Sequence, residues 1–410
     1  MYWLNQGLSL LAGVIMFLRT LSIILLSIPT SQADLPVAIN RVDQSIRINT
    51  ESYSVRVPEG YTLELLTDKL DGPRLLSFSN NGDLFIGAKS GHVYRLPPPY
   101  TQPQVLLRMG GYPHSIAFRP GEILIAKTDG LYVAPYQLGQ ATISPNAVKL
   151  LAALPGGGGH SSRTVAVGPD GLVYVSLGIS GNCSDEYLDE SYPFDKRRGG
   201  VLVLDESNNQ PRWRTFASGL RNPVGFAWHP KTKELYASNN GPDHLGFNYP
   251  PEYFSRLLPG TFHGMPWFIS DGKQVRRDEC IDSTAPRPIS DVQKPVVTFP
   301  SRNAPMGVVF VPAGAMDKSL EYDAIVALRG SWGTRPFGGF VGLPSTRRHP
   351  QLVVVRFDNG KALRIDELVT GFQLDNGNRW ARPVGVAIGP DGALYFTSDS
   401  ETHGLFRLHK

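Results

Sequence analysis

One short unit recurs six times along this chain, and that recurrence governs what the chain can fold into. In each copy four or five positions alternate apolar with small or polar residues, a turn follows, and a second short apolar run closes the pair. The copies lie at residues 73–87, 113–126, 163–175, 222–238, 304–328 and 382–396. A period of two turns successive side chains to opposite faces of a strand. Centres such as Gly168-Pro169-Asp170-Gly171 and Gly389-Pro390-Asp391-Gly392 are hairpin chemistry. Further strands at residues 92–96, 200–204 and 352–357 separate the copies, and no amphipathic helix longer than two turns follows residue 35. Antiparallel units repeated at intervals of roughly 40 to 80 residues predict an all-β fold, a six-bladed β-propeller. A stack of β-sandwiches would not repeat one hairpin six times. The 43 glycines and 34 prolines carry no Gly-X-Y period, so they supply turns rather than a collagen helix.

The ends and the charge set the compartment and the partners. Residues 7–29 are mostly apolar but are split by Arg19, which is costly at a bilayer centre. Starting from Met16, the same region offers a basic start at Arg19, an apolar stretch over residues 21–28, and a small-x-Ala site at Ser31-Gln32-Ala33. Residues 1–33 are therefore expected to be an export signal or an N-terminal membrane anchor, residues 34–50 a linker, and residues 51–410 the propeller. Either leader places the body outside the cytoplasm, in a periplasm or extracellular space. The net charge of +4, with no basic run, excludes a nucleic-acid footprint. The two cysteines, Cys183 and Cys280, lack CxxC spacing. In an exported chain they fit one disulfide, with two separate buried thiols as the other option.

In a propeller the first strand of each blade lines the axis, so residues just before those strands converge on one channel mouth. Here they are Arg74, His114, His160, Arg221 with Asn222, Arg302 with Asn303, and Arg382. That ring concentrates cationic and proton-transfer groups where a small anion could sit. Long irregular segments at 178–199 and 241–300 are expected to lie over the same mouth, because loops of this length in a compact domain usually serve function.

Several motifs resemble one family. They are Gly159-His160 ahead of the Gly168-Pro-Asp-Gly171 turn, Gly219-Leu-Arg-Asn-Pro-Val-Gly225, Asn240-Gly-Pro242, Leu328-Arg-Gly-Ser-Trp-Gly-Thr-Arg335 and Arg382-Pro-Val-Gly385. From residue 55 onward the chain resembles the quinoprotein sugar dehydrogenases of the soluble glucose and L-sorbosone types, six-bladed propellers that use pyrroloquinoline quinone (PQQ) and calcium. The resemblance implies His160 as the base that takes a sugar hydroxyl proton, and Arg221 beside the reactive quinone carbonyl. It further implies Asn222 as a cofactor contact, the carbonyls of Gly241 and Pro242 as calcium ligands, and Arg382 and Arg329 against the PQQ carboxylates. Arg302, His114 and Arg74 complete the expected cofactor-binding ring. The chain departs from the pattern at Gly159, where the glucose type has an acidic residue, and at Trp380, where it has Arg. Arg302 and Arg329 replace histidines of the sorbosone type.

The residue types suit that chemistry independently. Guanidinium groups match carboxylates in bidentate geometry, and calcium accepts carbonyl oxygens. An imidazole with a pKa near neutrality can deprotonate an alcohol as hydride leaves. The expected activity is oxidation of an aldose or polyol, with electrons passing to a separate acceptor because no Cys-x-x-Cys-His haem site is present. A non-catalytic propeller that binds a glycan or protein is the other reading. A calcium-dependent lactonase would want Asn, Asp or Glu around the axis in place of this Arg/His ring.

Overall fold

The computed structural model describes residues 37–410 apart from Asn209. The export or anchor segment expected over residues 1–33 lies outside the described residues. Within the stretch expected as linker, Arg41–Ile48 is a strand. It pairs antiparallel with Glu51–Pro58, so this hairpin precedes the first blade strand.

Six antiparallel sheets follow, and blades 1 to 6 take their numbers in chain order. Their inner strands are Pro73–Phe78, Pro113–Arg119, Arg163–Val167, Phe226–Trp228, Pro305–Phe310 and Pro383–Ile388. Every one falls within a predicted hairpin unit. Together they enclose an axial cavity of about 320 Å3, to which Leu75, Ile116, Val165, Phe226, Val308 and Val386 each contribute one blade's wall. Blade 6 supplies three strands from the C-terminus. Its fourth is Thr62–Thr67, which pairs antiparallel with Thr402–His409 and ties the N-terminal end of the ring to the C-terminal end.

The core lies between blades rather than in one centre, because each sheet has two faces to cover. Phe85 and Val93 of blade 1 pack on Ile116 and Ile125 of blade 2. Phe254 of blade 4 packs on Phe310 of blade 5. Near the axis the blades approach so closely that the recurring Pro-Val-Gly and Pro-Met-Gly elements have a steric cause. A Cβ on Gly225 would sit 2.1 Å from the Met306 carbonyl oxygen. On Gly307 it would sit 2.7 Å from that of Val384, and on Gly385 2.5 Å from that of Arg74. Hydroxyls bridge the same seams. Ser115 donates to the Arg163 carbonyl at 3.0 Å, Ser238 to Met306 at 2.6 Å and Thr397 to Arg74 at 2.5 Å. Gly225→Ala is therefore expected to force two blades apart and to cost about 1–3 kcal/mol, read as a lower denaturation midpoint in urea. An unchanged midpoint would show that the seam relaxes freely.

The two long insertions fold on each other. Tyr187 from the first meets Trp267 from the second edge-on at 5.9 Å, with Phe262 and Val292 completing a small buried cluster. Strand Thr261–Phe262 adds to the outer edge of blade 3 in parallel. Cys183 and Cys280 are joined by a disulfide with Cα atoms 5.9 Å apart, which ties the two insertions together.

Candidate functional site

Two linked groups of side chains occupy the mouth. The first joins blades 3 and 4 through Ile179, which follows the second strand of blade 3. Its N–H donates to the Arg221 carbonyl at 2.9 Å, and its own carbonyl lies 2.6 Å from His160 Nδ1. A carbonyl only accepts, so Nδ1 carries the proton. Burial, and then the Arg221 charge, push the ring down to about 4, so it is neutral at pH 7 with Nε2 as a free acceptor. Neutrality thus extends well below the near-neutral range expected from sequence. Gly178 makes room here, since a Cβ on it would lie 2.8 Å from His160 Cβ and 2.7 Å from Asn222 Oδ1.

Arg221 is buried and aimed by its neighbours. Its Nε and Nη2 donate to the carbonyl and Oδ1 of Asn182 at 3.0 and 2.8 Å, and Asp243 stands 3.6 Å away. Asn182 Oδ1 also accepts from the Asp243 N–H at 2.8 Å. Asn182 adjoins Cys183, so the disulfide sits one residue from the group that orients Arg221. On the far side the Asn222 carbonyl accepts from the Asn240 N–H at 3.2 Å, which fixes the start of the Gly241-Pro242 turn. Arg302 belongs to this turn instead of the open mouth. Its Nε donates to the Gly246 carbonyl at 3.0 Å, and its Nη atoms hold Asp243 and Gly246. A buried glutamate unforeseen from sequence, Glu252, accepts from the Gly241 N–H and is pushed up to about 7 by burial.

The second group joins blades 1, 5 and 6. Asp399, at the end of the second strand of blade 6, takes Arg74 at 2.5 Å, Lys89 at 2.8 Å and Arg329 at 2.8 Å. Three cations hold this fully buried carboxyl far below the usual range, with Arg74 and Arg329 contributing most against the opposing cost of burial. Beside it, Arg382 donates Nε and Nη2 to the carbonyls of Arg329 and Gly330 at 2.9 and 2.8 Å. Burial, then Arg329 and Arg379, push it down to about 8. Those carbonyls orient Arg382 without neutralising it. His114 is fully buried, with Nδ1 3.0 Å from the Arg163 carbonyl and Nε2 without a partner. Burial lowers its pKa strongly.

The structure therefore brings His160, Arg221, Asn222 and the Gly241-Pro242 turn together, and gathers Arg74, Arg329 and Arg382 around Asp399. Arg302 is turned away into a structural role, and His114 is sealed beneath the mouth. The residues present fit the cofactors that the motifs imply. Asn222 Oδ1 and Arg74 Nε are buried without partners. Among the described residues no donor engages the Gly241 or Pro242 carbonyls, which leaves hard oxygen ligands of the kind calcium takes. Asn182, Asp243, Glu252 and Asp399 carried no sequence signal that set them apart, because each acts through partners remote in the chain.

Solved structures share this fold at low sequence identity. The iodide structure of a family AA12 carbohydrate-active enzyme from Trichoderma reesei superposes with a TM-score of 0.73 at 18% identity, over 86% of this chain and 96% of that one. The holo PQQ domain of a pyranose dehydrogenase from Coprinopsis cinerea gives 0.70 at 18% identity, over 87% and 97%. PQQ-bound aldose sugar dehydrogenase from Streptomyces coelicolor gives 0.60 at 16% identity, over 86% and 99%. In sequence the chain is 24% identical to an uncharacterised protein of Borreliella burgdorferi across 374 residues, 87% of this chain and 91% of that protein. At these identities the likeness to the quinoprotein sugar dehydrogenases is one of fold. The sequence profile that matches residues 55–250 and 264–410 spans all six blades, and by that match the chain is a member of the TrAA12-like family.

Proposed function

We propose that this protein is a PQQ- and calcium-dependent oxidoreductase that oxidises an aldose or polyol outside the cytoplasm. The observation that carries this reading is the neutral His160, held through Ile179 against Arg221 and packed with Asn222 around Gly178, while the Asn222 carbonyl fixes the turn that bears the unengaged Gly241 and Pro242 carbonyls. Support also comes from the TrAA12-like membership and from the fold shared with proteins whose structures contain PQQ. The Cys183–Cys280 disulfide supports the compartment.

The Gly241 and Pro242 carbonyls would hold the calcium, while Asn222, Arg74, Arg329 and Arg382 would meet the polar edge and carboxylates of PQQ. When bound, PQQ supplies the two-electron acceptor and calcium the Lewis acid. The chain's own residues position the substrate and move the proton. His160 Nε2 accepts the hydroxyl proton while Nδ1–H stays on the Ile179 carbonyl, so the ring cannot turn away as it becomes charged. Arg221, fixed by Asn182, presents its charge beside the reacting centre and stabilises oxyanion character there. The Asp399 cluster keeps Arg74 and Arg329 in place before any ligand arrives. Such preorganisation removes the cost of ordering them on binding.

Equilibrium titration tests the cofactor half of this reading. Purified protein should bind PQQ stoichiometrically with calcium present, and chelation of calcium should weaken binding at least tenfold. PQQ binding that ignores calcium would remove the metal from the proposal, and no binding would remove the whole reading.

A further inference from the structure

Around Arg382, on the same mouth, lies a cavity of about 580 Å3 whose other walls the cofactor reading does not use. Its walls are of two kinds. Trp332, Phe340 and Trp380 supply ring faces, with Trp332 and Phe340 in contact at 4.9 Å and Trp380 stacked on Tyr53 at 5.3 Å. Arg347, Arg379 and Arg382 supply guanidinium groups. Among the described residues none of these three has a carboxylate within ion-pair distance, unlike Arg74, Arg302 and Arg329 nearby. Arg379 spends Nε on Gln373 Oε1 at 2.8 Å and Nη2 on the Ser331 and Arg348 carbonyls at 2.8 and 3.0 Å. Arg347 Nε is buried with no partner at all. The neighbouring carbonyls therefore hold Arg379 and Arg382 in place without an ion pair, and the Glu401 carboxylate on the same wall acts on Arg379 only from beyond ion-pair distance.

Half-buried, unpaired guanidinium groups are costly unless a ligand completes them. A neutral sugar offers them hydroxyls only, whereas a planar carboxylate fits the guanidinium fork. Aromatic walls with a few fixed polar groups are the usual make-up of a small-molecule site. Glu401, on the same wall, offers an acceptor for sugar hydroxyls. A second cavity of about 670 Å3 shares Arg347 and adds Arg335 and Arg348, with Glu367 the one carboxylate among its lining residues, so guanidinium groups continue beyond one sugar unit.

We propose that this cavity is an acid-sugar subsite, in which Arg347 and Arg379 grip the carboxylate of a uronic acid unit while Trp332, Phe340 and Trp380 pack against its ring. This inference rests on the sugar-oxidising reading and narrows its substrate class to uronate-bearing glycans. Arg382 forms the boundary between this subsite and the cofactor ring.

Two of the wall residues are tryptophans, so binding is readable by intrinsic fluorescence of the full chain without any cofactor. Trigalacturonate should change that fluorescence saturably, and the neutral trisaccharide maltotriose should bind at least tenfold more weakly. Arg347→Ala and Arg379→Ala should each weaken trigalacturonate binding about tenfold or more, the usual scale for a lost charge-assisted hydrogen bond. Arg347→Lys, which keeps the charge, should recover part of the loss, and melting curves show whether each variant is folded. Equal affinity for the acidic and neutral trisaccharides would overturn the proposal, as would folded alanine variants that bind like the parent. Stoichiometric displacement of trigalacturonate by PQQ with calcium would also overturn it, by giving the cavity to the cofactor. If the uronate binds as expected and no sugar is oxidised, the subsite stands and the oxidoreductase reading falls.

Discussion

Replacing His160 with alanine is expected to lower kcat of the PQQ-loaded protein by ~10²–10⁴, with PQQ and calcium binding retained. The second nitrogen of this ring is a free acceptor, since Nδ1 is committed to the Ile179 carbonyl. His114→Ala is the control. That ring is fully buried, so its loss should lower stability more than turnover. The pH profile carries a second expectation. The folded-state pKa of His160 is lowered to about 4, so the working neutral form is present above that value and is lost as pH falls through it. The acid limb of kcat/KM should therefore lie near pH 4 in place of the ordinary imidazole value of about 6.5. A limb near 6.5, or a His160→Ala variant with full turnover, would take the base away from His160.

Asp399→Asn should be the most destabilising single change at the mouth. The carboxyl is fully buried and neutralises Arg74, which is itself buried, together with Lys89 and Arg329. Removing one partner of a buried pair leaves an uncompensated charge and costs roughly 3–5 kcal/mol. The sign with pH follows from the depressed folded-state pKa. The stabilisation is fully present above the unfolded value of about 4 and fades as pH falls below it. Denaturation curves should show a large gap between parent and variant at pH 7 that narrows steadily below pH 4. A gap of less than about 1 kcal/mol at pH 7, as for an exposed pair, would show that Arg74 and Arg329 find other partners.

The propeller was legible because its signal is local. Alternation, Pro at strand starts and Gly at the seams lie within a dozen residues of each other. The predicted inner strands accordingly begin at the observed Pro73, Pro113 and Arg163. Its closure was not legible, because the fourth strand of the sixth blade, Thr62–Thr67, is remote in the chain from its partner Thr402–His409. The hairpin of Arg41–Ile48 with Glu51–Pro58 was hidden because its apolar positions are few and widely spaced among charged ones.

The candidate site was legible as a ring of residue types and not as a set of pairs. Arg302 lies just ahead of the inner strand of blade 5 and Arg329 just after its second strand, and in sequence both fit the cofactor ring. One is consumed by Asp243 and Gly246, whereas the other shares Asp399 and keeps part of its surface open. Nothing local distinguishes them, because Asp399 lies 70 residues from Arg329 and Asp243 59 residues from Arg302 in the chain. Likewise the His160 pKa depends on burial and on Arg221, neither of which spacing reveals.

In the proposed reaction, PQQ would accept the electrons of a sugar bound at this mouth while His160 takes the proton. Stopped-flow mixing of the protein, loaded with PQQ and calcium, against a panel of neutral and acidic aldoses follows the quinone absorbance in a single turnover. Rapid bleaching by at least one of them is expected in the parent, slowed ~10²–10⁴-fold in His160→Ala. A fully loaded parent whose absorbance no sugar bleaches would contradict the proposed reaction.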